Sequence, residues 1–194
     1  MFSGIIEKKS KIIEIDNWRF IVENTFQDTI KVGQSIAHDG ACMTLESIDA
    51  NTYTFFCMEE SFKKTNFLNK KKGDFFNIER SLQVGDRIDG HFVSGHIDTT
   101  GKIQDIKTHE DSSITIEVTF SEDFSKFVIE KWSITINGVS LTVVGTWSWF
   151  LSVCIIPHTQ KETNLWNLKI HDIVNLEFDM LWKYLYNLKK YVTI

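Results

Sequence analysis

This chain contains itself twice. Slid along itself by 98 residues, the sequence matches Ser35 to Ser133, Ile36 to Ile134, Gly40 to Gly138, Thr44 to Thr142 and Lys63 to Lys161. The match continues from Thr65, Asn66, Asn69, Lys71, Asp74, Asn77 and Glu79 to Thr163, Asn164, Asn167, Lys169, Asp172, Asn175 and Glu177. That makes 12 identities in 45 gapless positions, where composition alone gives about three. Nearer the start the agreement holds at a shift of 91, placing Ser3-Gly4 on Ser94-Gly95, Ile6 on Ile97, Lys11 on Lys102 and Ile12 on Ile103. The two shifts differ by seven residues, so the second copy carries an insertion, expected in the polar stretch from Thr108 to Ser113. A repeat of this length folds as two like units. They are expected at residues 1–88 and 89–180, followed by a distinct tail at 181–194.

Within each copy the apolar residues alternate at period two. Lys11 to Ile15, Thr52 to Met58, Ser113 to Thr119 and Phe150 to Ile156 are rich in β-branched and aromatic side chains and read as strands. Turn signals separate them at Asp39-Gly40, Asp49-Ala50-Asn51, Lys72-Gly73-Asp74, Gly85-Asp86 and Asn137-Gly138. Short strands spaced about ten residues apart in units of roughly 90 favour small closed barrels, which leave no sheet edge exposed. The tail changes period. Leu181, Tyr184 or Leu185, Leu188 and Tyr191 fall on one stripe of a helix, too short to be stable alone, and self-association is the favoured way of covering that stripe.

A net charge of −5 and a pI near 5.7 provide no basic face to neutralise a phosphate backbone, which excludes nucleic acid as a partner. No run reaches the roughly 18 to 20 apolar residues of a membrane span, and the start lacks the pattern of a signal peptide, so a cytoplasmic protein is expected. Cys42, Cys57 and Cys154 form no CxxC pair and leave one thiol over in any disulfide scheme. His91 and His96 lack a third ligand at metal spacing. No metal is expected.

Three segments stand out from plain strands and turns. His38-Asp39-Gly40-Ala41-Cys42-Met43-Thr44 aligns with Ile136-Asn137-Gly138-Val139-Ser140-Leu141-Thr142, so that Cys42 matches Ser140 and Thr44 matches Thr142. In each, a thiol or hydroxyl two residues beyond a turn is followed at i+2 by a threonine, which points both groups to one face of a strand. A Cys and two threonines packing a barrel strand would look the same if met once; recurrence at one register in both halves favours polar pairs that converge on a shared cleft. Cys42 has no evident cation beside it, so covalent catalysis does not follow. The third segment, Gly90-His91-Phe92-Val93-Ser94-Gly95-His96-Ile97-Asp98, joins the copies and puts His96 where the first copy has Ile5. The copies are thus alike in shape but not in chemistry, as expected if one holds a donor molecule and the other an acceptor. Met58-Glu59-Glu60-Ser61 and Ile156-Pro157-His158-Thr159 both end a strand before a Thr-Asn pair. They read either as ligand-edge backbone or as helix caps using Ser61 or Thr159.

Met-Phe-Ser-Gly-Ile-Ile at the start, then GHFVSGHID, then NGVSLTV, in this order over two tandem units and a final helix, resemble the riboflavin synthase family over about residues 1 to 190. The resemblance implies an all-β fold of two homologous six-stranded Greek-key β-barrels plus a C-terminal α-helix. It implies a homotrimer, with the active site between the N-terminal barrel of one subunit and the C-terminal barrel of a neighbour. Two molecules of 6,7-dimethyl-8-ribityllumazine would stack there, one giving four carbons to the other to form riboflavin and 5-amino-6-ribitylaminouracil, without metal or organic cofactor. Carried over position by position, substrate contacts fall on Gly4, Ile5, Ile6, Cys42, Met43, Thr44, Phe56, Cys57, Met58, Glu59, Glu60, Ser61, Gly95, His96, Ile97 and Lys131. They continue with Ser140, Leu141, Thr142, Ile156, Pro157, His158, Thr159, Gln160 and Lys161. The implied catalytic set is Phe2, Ser35, Cys42, His96, Ser140, Thr142 and Asp179. In it His96 moves protons at the substrate methyl group, Ser140 and Thr142 orient the donor, and Cys42 contacts the acceptor. The chain departs from the family pattern at Ser3, where Thr is usual, at His38, Asp39 and Ala41, where Val, Asn and Val or Cys are expected, and at Trp132, where Gly is usual. Two rivals remain: a non-catalytic relative similar to lumazine protein, monomeric and holding one lumazine or flavin as an antenna, and a tandem-barrel scaffold with no small ligand. Retention of the polar set argues against the first, and its repetition in both halves against the second.

Overall fold

A computed structural model describes residues 1–189 of the chain; Tyr191, with which the expected helical stripe ends, lies outside the described residues with the rest of the tail. The first copy runs β1 (Lys8–Asp16), β2 (Arg19–Glu23), β3 (Ser35–His38), β4 (Ala41–Ile48), β5 (Thr52–Phe56), α1 (Glu59–Lys64) and β6 (Phe75–Arg80). The second repeats it as β7 (Thr99–Thr108), β8 (Ile114–Thr119), β9 (Ser133–Ile136), β10 (Val139–Trp147), β11 (Phe150–Ile155), α2 (Pro157–Glu162) and β12 (Ile173–Phe178), and α3 (Met180–Lys189) ends the described chain. The strand order is β1-β2-β5-β4-β3-β6 in the first barrel and, read from β7, β7-β8-β11-β10-β9-β12 in the second, each closed on itself. These are the two six-stranded antiparallel barrels and final helix that the repeat and the resemblance imply.

Most strands bury alternate residues, whereas β3, β6, β9 and β12, which line the contact between the barrels, bury consecutive ones. In β4 Ala41, Met43 and Leu45 face inward while Cys42 and Thr44 face out, and in β10 Val139, Leu141 and Val143 face inward while Ser140 and Thr142 face out. Register breaks, which curl a sheet toward closure, recur at equivalent places: Ile12/Glu14 matches Ile103/Asp105, and Leu45/Ser47 matches Val143/Gly145. The expected insertion is in two parts. Val22 pairs with Ile12, and Val118 with Ile103, so the offset has risen from 91 to 96 across the longer β7–β8 hairpin. The remaining two residues enter between β8 and β9, where a 3-10 turn at Glu122–Phe127 replaces the shorter Gln27–Thr29.

The two cores differ. The first is built around Phe20, Phe55, Phe67 and Phe76, all fully buried, with Phe20 stacked on Phe55 at 5.2 Å between ring centroids; the second is mainly aliphatic. Burying each such ring stabilises its barrel by roughly 1.5–3 kcal/mol.

The barrels meet through the β3–β4 and β9–β10 turns. Asp39-Gly40 and Asn137-Gly138 all have positive φ, the geometry of a two-residue type I′ turn. The turns also lie back to back: a Cβ on Gly138 would stand 2.6 Å from the backbone nitrogen of Gly40. Around them the asparagines common to both copies cross-link the units. The amide N of Asn66 donates to Oδ1 of Asn175 at 2.6 Å, and that of Asn164 to Oδ1 of Asn77 at 2.6 Å. Asn77 Nδ2 donates to the carbonyl of Asn137, and Asn175 Nδ2 to that of Asp39. The repeat's identities at these positions therefore reflect an interface between the units.

The departures at 38, 39 and 41 belong to this framework. Ala41 and His38 are buried and paired across the β3–β4 turn. Asp39, fully buried, meets Lys70 Nζ at 2.6 Å and accepts from Asn66, Asn164 and the amide of Asn77. The second copy, with Asn137 and Leu168 at these places, is neutral.

Candidate active site: two clusters about a pseudo-twofold axis

The opening segment of each copy leaves its own barrel and completes the other. Phe2 and Val93 exchange backbone hydrogen bonds, Phe2 N to Val93 O at 2.8 Å and Val93 N to Phe2 O at 3.0 Å. This antiparallel crossing carries Gly4 and Gly95 in opposite directions. Ser140 N donates to Gly4 O at 2.7 Å, and Cys42 N donates to Gly95 O at 2.8 Å. Ile6 accordingly packs on the second core and Ile97 on the first.

A buried carboxylate fixes each segment. Glu79 accepts from Ser3 N at 2.6 Å, Ser3 Oγ at 2.8 Å and Gly4 N at 3.0 Å. Glu177 does the same for Ser94 N at 2.7 Å, Ser94 Oγ at 2.6 Å and Gly95 N at 3.0 Å. Burial raises the carboxyl pKa of both, only partly offset by the donated hydrogen bonds. The hydroxyl kept at Ser3 is thus in use. Neither glutamate stands out in the sequence, although both are among the repeat identities; what reveals them is contact across 75 and 82 residues of chain.

The expected site residues sort into two clusters. One holds Gly4, Ile5 and Ile6 with Ser140, Leu141 and Thr142 of β10. The other holds Gly95, His96 and Ile97 with Cys42, Met43 and Thr44 of β4. Strand neighbours support the outward polar pairs, Ser35 opposite Thr44 and Ser133 opposite Thr142. Cys42 and Ser140 therefore lie in two clusters, each completed by the other copy's segment. Phe2 is fully buried at the crossing beside Ala37, Val93 and Cys42.

The clusters are alike in backbone but unlike in side chains. His91 Nδ1 lies 2.7 Å from Ser140 Oγ. Burial lowers the His91 pKa, partly countered by the charge of Asp179, so the imidazole is neutral near pH 7. His91 lies ahead of the stretch over which the copies align, Phe2 to Glu7 on Val93 to Asp98, so the repeat singles out His96 and not His91. His96 is exposed, its amide N donating to Ser94 Oγ at 3.2 Å. Asp179 is 5% exposed and accepts from Leu181 N at the start of α3.

After β5 and β11 the chain enters α1 and α2, which carry the exposed Glu59 and Glu60, and Pro157 and His158. Ser61 and Thr159 cap neither helix: their carbonyls accept from Thr65 and Thr163 Oγ1 at 2.7 Å. Thr65 and Thr163 instead cap the following 3-10 turns. Phe56, Met58 and Ile156 are exposed, half-buried Gln160 reaches the Ile155 carbonyl, and Lys161 offers its carbonyl to Lys9 Nζ at 2.6 Å. Cys57 turns into the first core, where burial pushes its thiol pKa up to about 12. Exposed Lys131, at φ 66°, bonds through its amide N to Val143 O. Beside it Trp132 meets Trp182 of α3 at 5.9 Å between rings, which accounts for a bulky residue there. Among the described residues no group of three or more His, Cys, Asp or Glu is placed to hold a metal, and no helix is long and apolar enough to cross a membrane.

Two closed barrels, each presenting an outward Cys/Thr or Ser/Thr pair beside a glutamate-held Ser-Gly turn, define a tandem lumazine-binding-domain architecture. The family model described as "Lumazine binding domain" matches residues 3–81 and 94–179. Riboflavin synthase of Actinobacillus pleuropneumoniae is 42% identical over 190 residues, covering 95% of this chain and 88% of the relative. That of Escherichia coli (strain K12) is 37% identical over 186 residues, covering 92% and 87%. The chain belongs to the riboflavin synthase family. The fold is shared with LumP solved with riboflavin, at TM-score 0.85, and with 6,7-dimethyl-8-(1'-D-ribityl) lumazine, at 0.83, each at 20% identity and covering 92% of this chain and 99% of that one.

Proposed function

We propose that this transferase takes two molecules of 6,7-dimethyl-8-ribityllumazine to riboflavin and 5-amino-6-(D-ribitylamino)uracil. The observation that carries this reading is the pair of clusters, equivalent in backbone and different in side chains. Such a pair suits two copies of one substrate that must play different parts. The products together hold the atoms of the two substrates, so the exchange balances without external oxidant, reductant or cofactor.

The crossing at Phe2 and Val93 gives each chain two clusters, one on each barrel, and a complete site is read as one cluster from each of two chains. This supports a homotrimer in which the N-terminal barrel of one subunit faces the C-terminal barrel of its neighbour. In α3, Trp182 Nε1 bonds to Lys126 O at 2.8 Å and Tyr186 packs on Phe127. Leu181, Tyr184, Leu185 and Leu188 are left 50–65% exposed, a stripe suited to subunit contact. The working units are residues 1–88 and 89–180, with the association helix beginning at 181, in a cytoplasmic protein.

At the assembled site Ser140, Thr142 and His91 orient and polarise one lumazine, with Gly4 to Ile6, Lys131 and Ile156 to Lys161 around it. Cys42, Thr44 and His96 meet the other, with Gly95, Ile97 and Phe56 to Ser61. His96 moves a proton at the acidic methyl group on position seven, whose anion delocalises into the pteridine ring. Ser35 and Phe2 support the Cys42 side, and Asp179 the His91 side. Substitution of His96 by Ala tests the assignment: a large fall in kcat with lumazine still bound is expected, and unchanged turnover refutes it.

A further inference from the structure

The cluster around Cys42 depends on a cation from outside its barrel. Asp98 directly follows the Gly95–Ile97 turn, and its Oδ2 accepts from Phe178 N at 2.9 Å. Both its oxygens meet Lys183 Nζ of α3, at 2.8 and 3.0 Å, and the two side chains are only 20–24% exposed. The first copy solves the same problem within its own barrel. Glu7, the counterpart of Asp98, accepts from Arg80 N at 2.7 Å and pairs with the Arg80 guanidinium at 2.6 Å. The second copy has Phe178 where the first has Arg80, so the bonded cation comes from the helix.

We propose that Lys183 is a positioning residue for the Cys42 cluster, acting through Asp98 to set the turn that carries His96, so that docking of α3 and competence of this cluster are coupled. The Gly4 turn, held by Glu79 and followed by the Glu7–Arg80 pair, has no such dependence on α3. The inference rests on the reading that the Gly95–Ile97 turn touches substrate.

The test compares Lys183→Met, Lys183→Arg and Asp98→Asn in the full-length protein, with 6,7-dimethyl-8-ribityllumazine as substrate. Displacing a catalytic group by a fraction of an ångström lowers the chemical step more than binding. Lys183→Met and Asp98→Asn should therefore each lose roughly tenfold in kcat with KM within about twofold, while Lys183→Arg recovers most of the loss. Asp98→Asn leaves α3 unaltered, which separates positioning from damage to the helix. Amide hydrogen exchange at Gly95 should quicken several-fold in both charge-removing variants while that at Gly4 stays at the wild-type rate. Wild-type kcat in either variant, or equal exchange changes at Gly4 and Gly95, overturns the proposal. If wild-type protein makes no riboflavin, the proposed function falls, and the exchange comparison still decides the positioning claim.

Discussion

Acidification should weaken the first barrel through one histidine. His38 is fully buried among Phe55, Phe76 and Tyr53. Its Nδ1 lies 3.1 Å from the Ile36 carbonyl and its Nε2 2.8 Å from Tyr53 Oη. A carbonyl only accepts, so Nδ1 carries the proton and Nε2 accepts from the tyrosine. Burial lowers the pKa of His38 from 6.5 to about 3 and raises that of Tyr53, so both stay neutral across the working range. The folded chain resists a proton that the unfolded chain takes up at 6.5. The stabilisation is therefore complete above pH 6.5 and lost as pH falls toward 3, at about 1.4 kcal/mol per unit. Between pH 7 and pH 5 the first barrel should lose about 2 kcal/mol from this group. Glu79 and Glu177, whose carboxyls are raised, act in the opposite sense, so the comparison must isolate His38. The second barrel has Ile136 and Leu151 at the equivalent places, and the double variant H38I/Y53L copies them. Amide hydrogen exchange in β2 and β5 should show wild-type opening free energy falling by about 2 kcal/mol more than the variant's between pH 7 and pH 5. In β8 and β11 the two proteins should agree. Equal pH dependence in both proteins would refute the reasoning.

Three further outcomes follow from the same structure. Asp39→Asn and Lys70→Leu should each destabilise by about 3–5 kcal/mol, because each strands a buried charge, while the double variant, matching Asn137 and Leu168, should be near neutral in urea unfolding. His91→Phe should lower kcat by about 10²-fold; since the lowered pKa keeps wild-type His91 neutral below pH 6.5, the acid limb of kcat/KM should also lie below 6.5. A wild-type rate in His91→Phe removes it from the site. Glu79→Gln puts an amide donor against Ser3 and Gly4 and should cost about 1–3 kcal/mol while quickening exchange at Gly4; an unchanged midpoint contradicts its anchoring role.

The barrels were legible because their evidence is local or periodic. Alternation placed Cys42 and Thr44 outward, and matched turns fixed Asp39-Gly40 on Asn137-Gly138. The organisation of the site was not, because it depends on contacts between distant parts of the chain. Nothing in the order of residues tells that Gly4 docks on Ser140 and Gly95 on Cys42, the exchange that completes each cluster with a segment of the other copy. Asp39 was visible as a departure, but its reason, Lys70, lies 31 residues on at a position where the copies differ, between two identities at Asn69 and Lys71. His91 escaped because a repeat highlights what both copies share or exchange, and this residue lies ahead of the aligned stretch Val93 to Asp98.

The central claim is that the paired clusters carry out a dismutation that needs nothing beyond its substrate. Purified protein mixed with 6,7-dimethyl-8-ribityllumazine alone, without metal or nucleotide, should form riboflavin and 5-amino-6-ribitylaminouracil in equal amounts, followed by absorbance and chromatography near neutral pH. Binding of the lumazine with a change in its fluorescence but no riboflavin would contradict the account and place the chain with the ligand-holding, non-catalytic tandem barrels.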